Sequence, residues 1–578
     1  MTRLGLAALA PLTLAAFVGL AGLSPGVAHA CGGTFCDAGP QVMPVDQSGE
    51  SILFWIDQAG GEAHTEAHIQ IQYEGDPERF AWLIPVVEVP EVLVGSQALF
   101  DNLLAATVPT FTINTRFDGD CGSGVSALAC GMSVDASEFA ASDDDLGGTE
   151  GFGDELGEGP EILERGFAGA FEYVILTGDS VDEIVDWLDA AGYAQDDDAP
   201  PILAEYLAEG HVFVAIKLRS DAGSDEIHPL ALRYPGVEPC IPIRLTRIAA
   251  TEDMAIRAFF LGESRVAPQN WPHVVLNLLG IDWVGDPAGS YLEQVSLAID
   301  EAGGRAFVTE YAGSDEIVSS AGIRGEGWSA AAFAEIEAVG VVDELRAQGF
   351  YVCSEDWLGE ESCAFTHPLV EPLLDKYLPA PEGVETETFW DCLSCYEGLI
   401  DPVSWGQQPG FAAEFAERIT IPADHALEML DDASYLTRLF SLISPHEMLE
   451  DPVFHEVADL PEVSSSITAT RVFACDDSSD WFELDEHPDM ALDALGGWPS
   501  FEDMPAARRV ERVPTMGPPQ VEVDNDAGID DILDSWNHSR LTGPSPWNCA
   551  TVGLRPEGVL TMLMIFGIAG LQRRRRAR

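Results

Sequence analysis

Residues 4–23 form an apolar stretch behind one positive charge, Arg3, and lead to Ala28-His29-Ala30, a small-x-small cleavage pattern. This is the organisation of a secretory signal peptide. It constrains everything after it, because the rest of the chain is then expected to fold outside the cytosol, where thiols oxidise. All eleven cysteines lie beyond that point: Cys31, Cys36, Cys121, Cys130, Cys240, Cys353, Cys363, Cys392, Cys395, Cys475 and Cys549. Eleven is odd, so at least one stays out of intramolecular bridges. With Cys549 set aside, ten remain as disulfide candidates. Proximity suggests Cys31–Cys36, Cys121–Cys130, Cys353–Cys363 and Cys392–Cys395, leaving Cys240–Cys475. Cys31 directly after the cleavage pattern also raises lipidation, although Ala28 stands where lipoprotein signals usually carry Leu. Cys392-Leu-Ser-Cys395 has the C-x-x-C spacing of redox sites. No clear strand precedes it and no second pair sits at zinc-finger spacing, so a structural bridge is expected there.

The C-terminus reads as a second address. Residues 559–571 carry no charge and are followed by Arg573, Arg574, Arg575 and Arg576. As a helix the apolar core is about 20 Å long, a short span. The arginines would hold the tail in the cytoplasm before any processing. The expected partners are therefore the export machinery and a membrane. Together, Cys549, the apolar stretch and the Arg run resemble the sorting signals of myxobacterial surface proteins, the MYXO-CTERM type. That resemblance implies processing near the cysteine and transfer to the cell surface.

The body between these ends is strongly acidic. The whole chain of 578 residues holds 98 Asp+Glu against 28 Lys+Arg, a formal charge of −70, with 46% hydrophobic residues. Enough apolar material is present for a sizeable core. A surface of this sign repels phosphates, so nucleic acid is excluded as a partner. It is either a solvated acidic exterior or one that collects divalent cations or a cationic partner.

Periodicity predicts an α+β fold: a β-rich N-terminal domain with antiparallel sheets and packed helices, followed by a more helical region. Residues 51–58, 67–74 and 79–86 read as a three-strand meander. In the second, Ala67, Ile69, Ile71 and Tyr73 share one face. Further strands are expected at 110–114, 171–177, 211–218, 230–234, 241–248, 254–261 and 306–311. Helices are expected at 96–106, from a capping box at Ser180–Glu183, at 200–207, and from one at Ser290–Glu293. Residues 143–161, with eight acids and six glycines, read as a surface loop. The pattern turns helical from 328 to 441, and 476–545 reads as a loose acidic stalk. The expected divisions are 1–30 signal peptide, 31–260 α+β domain, 261–327 its α/β extension, 328–475 mostly helical, 476–548 linker and 549–578 sorting segment.

Several spaced motifs carry a family resemblance: Cys31-Gly-Gly-Thr-Phe-Cys36, Ala67-His-Ile-Gln-Ile-Gln-Tyr73, Phe80-Ala-Trp-Leu-Ile-Pro85, Ala98-Leu-Phe100, Trp187-Leu with Gly192-Tyr193, and Ile241-Pro-Ile-Arg-Leu245. They resemble the bacterial family labelled domain of unknown function 2330 over about residues 31–260. Such proteins are typically exported and have no assigned activity, so the resemblance implies location and extent and supplies no catalytic residues.

No nucleophile elbow, Walker loop, H-E-x-x-H or dinucleotide fingerprint is present. The best metal candidates are His64, Glu66 and His68. They alternate on a strand face, at about 6.8 Å steps, too far apart for one ion without a bulge or a second element. Asp524 and Asp526 faintly resemble a calcium loop that lacks its sixth-position Gly and terminal Glu. The run 196–198 is an acidic loop. The first functional reading is an exported, envelope-anchored, non-catalytic binding or structural ectodomain. The alternative is an exported hydrolase or other enzyme in which His64, His68, His211, His228 and nearby acids meet in a cleft.

Overall fold

The computed structural model describes residues 34–37, 46–58, 63–74, 80–118, 160–190, 193–194, 198–219, 222–223, 226–355, 361–475, 480–485, 487–493, 496–501 and 503–542. Both terminal segments, the cysteines at 31, 121, 130 and 549, the C-terminal arginines, most of the 143–161 loop and Asp196–Asp197 lie outside these residues. No helix among the described residues is long and apolar enough to cross a membrane.

Alternating apolar residues build two facing sheets, and the chain is α+β as its periodicity predicts. A ten-stranded mixed sheet runs Gln520–Asp524, Ala507–Arg512, His273–Leu276, Phe307–Gly313, Tyr435–Ile443, Ala250–Gly262, Asp46–Asp57, His64–Glu74, Leu230–Pro235, Glu91–Val94. Two of its pairs are parallel, Ala250–Gly262 with Asp46–Asp57 and His273–Leu276 with Phe307–Gly313. A six-stranded antiparallel sheet runs Glu161–Ala168, Phe171–Thr177, Val212–Leu218, Phe80–Val86, Thr34–Asp37, Tyr193–Ala194. Ile52, Phe54, Ala67 and Ile69 of the first meet Trp82, Ile84, Ile175 and Val214 of the second in one buried core. Such closely packed inner faces, about 10 Å apart, are the usual sandwich solution.

Helices cover the outer faces. Val181–Ala190 and Ala199–Ala208 seat Ile184, Trp187, Leu188, Leu203 and Tyr206 on the six-stranded sheet. Gln97–Thr107 and Ile421–Asp432 seat Leu99, Phe100, Leu103, Ala426 and Met429 on the ten-stranded one, against Leu53, Trp55, Phe259 and Leu261. Residues 330–420 form a separate helical cluster around Phe350, Leu373, Tyr377, Phe389 and Phe415. Within it the Tyr351–Glu355 and Glu361–Phe365 hairpin is closed by a Cys353–Cys363 disulfide, and a Cys392–Cys395 disulfide closes a short helical turn.

Several expectations are corrected. Residues 79–86 do not complete a meander with the preceding strands: the chain leaves the ten-stranded sheet after Glu74 and enters the six-stranded one. Residues 241–248 hold a helical turn, Ile243–Thr246, not a strand, because Pro239 and Pro242 remove two donors from any ladder. The helix expected from Ser290 begins earlier, at Pro287, capped by Asp286 whose carboxylate accepts from Gly289 N at 3.0 Å. Tyr435–Ile443 is a central strand inside the segment read as helical. The acidic stretch after 476 is not a loose stalk. It supplies Trp481–Leu484, Ala507–Arg512 and Gln520–Asp524, then the helix Asp526–Thr542, whose Ile529 and Leu533 are buried. The Cys240–Cys475 bridge does not form. Cys240 is a free thiol and Cys475 is disulfide-bonded elsewhere, because Cys240 sits at the inter-sheet cavity while Cys475 ends a strand of the separate four-stranded sheet.

Candidate metal centre

The strand His64–Glu74 alternates. Ala67 and Ile69 face the inter-sheet core, so His64, Glu66 and His68 face the other side, beneath the helix Ile421–Asp432. Glu66 lies opposite Trp55 on one neighbouring strand and Arg233 on the other. Glu66 is 0% exposed and His68 1%. The partner the strand spacing required comes from the helix: His425 Nε2 lies 2.6 Å from Glu66 Oε1. His68 Nε2 lies 2.8 Å from the same oxygen. One ligating atom from each of the three falls within 4.8 Å of the others.

The helix reaches this position through an irregular turn. Phe411–Phe415 continues into a π turn, Ala416–Thr420, and then into Ile421–Asp432 with Pro422 near its start. Pro422 has no N–H to donate to the preceding turn, and the widened turn accommodates that gap. Arg418 in the π turn is buried and pairs with Glu226 and Glu414, which anchors the turn to the N-terminal sheets.

Charge fits the geometry. Glu66 Oε2 accepts from Arg233 Nε at 2.8 Å, leaving Oε1 to the two imidazoles. Burial would raise the Glu66 carboxyl, but the imidazoles of His425 and His68 beside its Oε1 outweigh it and hold it far below the usual carboxylate range. Burial also opposes the charged form of His425, and the Glu66 carboxylate overcomes it, so His425 is raised. His425 Nδ1 faces Glu428 Oε2 at 3.2 Å. A ring that donates there presents a bare Nε2, the usual arrangement behind a metal-bound histidine.

A carboxylate oxygen and a bare imidazole nitrogen are both acceptors, so each short N···O approach needs a positive centre between them. Protons on both rings are one answer and a shared cation is the other. The His68 contact is close but not directed along a ring N–H, and neither ring nitrogen of His68 has a hydrogen-bond partner among the described residues. Two imidazoles and one carboxylate suit zinc and its transition-metal neighbours, not calcium or magnesium. Tetrahedral zinc with bonds of about 2.0–2.1 Å separates its ligands by roughly 3.3 Å, slightly more than the contacts found here. His68 lacks a carboxylate or carbonyl behind its other nitrogen. Its Nδ1 instead faces Gly95, where an added Cβ would come within 3.1 Å.

His64 shares the strand face but stands apart, its Nδ1 3.6 Å from Asp57 and its ring edge-on to Trp55. Asp524 and Asp526 close a strand–helix junction. Asp526 Oδ1 accepts from Arg508 Nε at 2.6 Å and Asp524 Oδ1 from Asp526 N at 3.0 Å. His211 lies against Tyr206, and His228 accepts from Ala170 N at 3.0 Å in the core, so neither joins His68. His425 was missed by sequence reasoning. Its only local signal was a histidine three residues before Glu428 in an amphipathic helix.

Above His425 lies a cleft of about 940 Å³ lined by Arg233, Glu417, Asp424, His425, Glu428 and Asp431, among others. Glu66 and His68 sit behind its floor. A family model described as "Uncharacterized protein conserved in bacteria (DUF2330)" matches residues 25–367. That span includes Glu66, His68 and Arg233 and ends before His425. Neither the curated proteins nor the solved structures contain a match.

Proposed function

The chain belongs to this family of uncharacterised bacterial proteins, and on that footing we propose that it is an exported, envelope-held binding protein that takes one divalent transition-metal ion at Glu66, His68 and His425. The single observation that carries the metal reading is the convergence of three ligating atoms within 4.8 Å from two elements far apart in sequence. A binding role is favoured over catalysis because Glu66 and His68 are buried, and entry from the cleft runs past His425. Export is supported by the signal-like N-terminus and by two disulfides in the helical cluster. The apolar segment 559–571 with its arginines is proposed as the anchor, its tail cytoplasmic before processing.

Metal analysis of natively isolated protein, followed by cobalt titration of the chelated protein, tests the site. About one equivalent per chain is expected, with visible absorption typical of tetrahedral cobalt. His425→Ala and His68→Ala should each lower affinity by at least about 10–100-fold. A folded protein that holds no metal and gives no cobalt spectrum would remove the proposal. Peptide mapping tests export separately: the mature chain should begin at Cys31, and retention of residues 1–30 would count against it.

A further inference from the structure

On the opposite face of the strands that carry the metal group, the two sheets leave a cavity of about 110 Å³. Its walls are largely apolar, with Ile52, Phe54, Ile69, Trp82 and Ile84 among them. Glu50 also lines it. Glu50 shares strand and parity with Ile52 and Phe54, so an acidic side chain stands where the pattern calls for an apolar one. It is 4% exposed, and its Oε2 has no hydrogen-bond partner among the described residues.

The other charged group at depth is already matched. Asp451 accepts from Tyr206 Oη at 3.0 Å and from Arg244 Nε at 3.0 Å. Among the described residues Glu50 has no comparable partner, and burial pushes its carboxyl up to about 7. A buried polar group left unmatched costs free energy, and a buried charge costs more. A ligand that brings a positive donor to Glu50 and apolar surface to the walls relieves both costs.

We infer that this inter-sheet cavity binds a small primary amine with an apolar body, its ammonium on Glu50 and its body against Phe54, Trp82 and Ile84. The size limits the body, because about 110 Å³ is less than the roughly 150 Å³ of an engineered apolar cavity that admits benzene, so a short alkyl chain fits and a phenyl ring does not. The charge agrees, since a body this acidic attracts cations and repels carboxylates. The inference does not depend on the metal reading, which concerns the other face of the sheet.

Calorimetric titration of the full chain with butylamine, 1-butanol and butyrate tests it. The amine should bind, the alcohol more weakly and the acid not at all. Glu50→Gln should weaken the amine by about tenfold or more and leave the alcohol unchanged. Glu50→Gln removes a buried acid and leaves the wall intact, and a thermal melt confirms that it folds. Equal amine affinity in folded Glu50→Gln protein, or no binding of amine and alcohol alike, would overturn the inference.

Discussion

Glu50 and Glu66 lie on adjacent strands, both buried, and differ in their partners. Glu66 faces two imidazoles and a guanidinium and is held far below its ordinary range. Glu50 faces hydrocarbon and rises to about 7. This difference makes a prediction at the residue scale. A carboxyl raised from 4.5 to about 7 on folding binds its proton more tightly in the native state. Stability should therefore fall as pH rises from about 4.5 to 7 and stay low above that, with a full effect of about 3 kcal/mol. Asp451, Glu238 and His211 line the same cavity in both proteins, and Arg244 pairs with Asp451 in both, so the comparison with Glu50→Gln isolates Glu50. Denaturant unfolding should find Glu50→Gln more stable than the natural chain at pH 8, with the gap closing toward pH 5. A gap independent of pH would mean that folding does not raise the Glu50 carboxyl. Glu66 could be read in the sequence as one of three polar residues alternating along a strand, while Glu50 falls just before the strand expected at 51–58. Their opposite ionisation could not, because it depends on Arg233 across the sheet and His425 across the layer.

At the scale of elements, the joint between the helical cluster and the sheets contains a buried group of charges. Arg418, 2% exposed in the π turn, faces Glu226 and Glu414, and Glu414 also takes Lys376 Nζ at 2.9 Å. Arg418→Ala should cost about 3–5 kcal/mol, because it takes the paired guanidinium from buried Glu226, while Glu414 keeps Lys376. It should also weaken metal binding, since the same turn directs His425. Arg418→Met, of similar volume, should recover part of the stability. Unfolding curves and cobalt affinity measured on both variants check this, and unchanged cobalt affinity in Arg418→Ala would show that the turn does not position His425. Elements with one wet face were legible: the strand at 64–74 and the helix at 97–107 follow their periodicities. Tyr435–Ile443 was not. It pairs on both sides and is buried on both faces, and Thr437, Arg438 and Ser441 fall among its apolar residues on both faces, so it shows no alternation. The segment at 241–248 failed for the converse reason, since its apolar content resembled a strand while Pro242 within it and Pro239 just before it worked against one.

For the whole molecule, the ten-stranded sheet draws its strands from residues 46 to 524, so the chain crosses and recrosses one sheet instead of building blocks in order. The metal group expresses this directly, with two ligands from an early strand and one from a helix that follows the disulfide-bonded cluster. An ion held there adds a link between parts that also meet through packing, the Arg418 pairs, the Arg219–Glu414 pair and the Gly169 N–Glu417 hydrogen bond. Saturating metal, at about a hundred times its dissociation constant, should stabilise the folded chain by about 2.7 kcal/mol. A rise in melting temperature on zinc addition, absent in His425→Ala, would show it. A shift that persists in His425→Ala would place the ion elsewhere.

Alternation, capping residues and cysteine placement determined the α+β character, the faces of the early strands and the candidacy of Glu66 and His68, because each is set by residues close together in the chain. Which sheet each strand joins, the fate of Cys240, the order within the acidic C-terminal stretch and the arrival of His425 at Glu66 were decided by tertiary structure. They depend on packing between segments hundreds of residues apart, where local pattern carries no information about the partner.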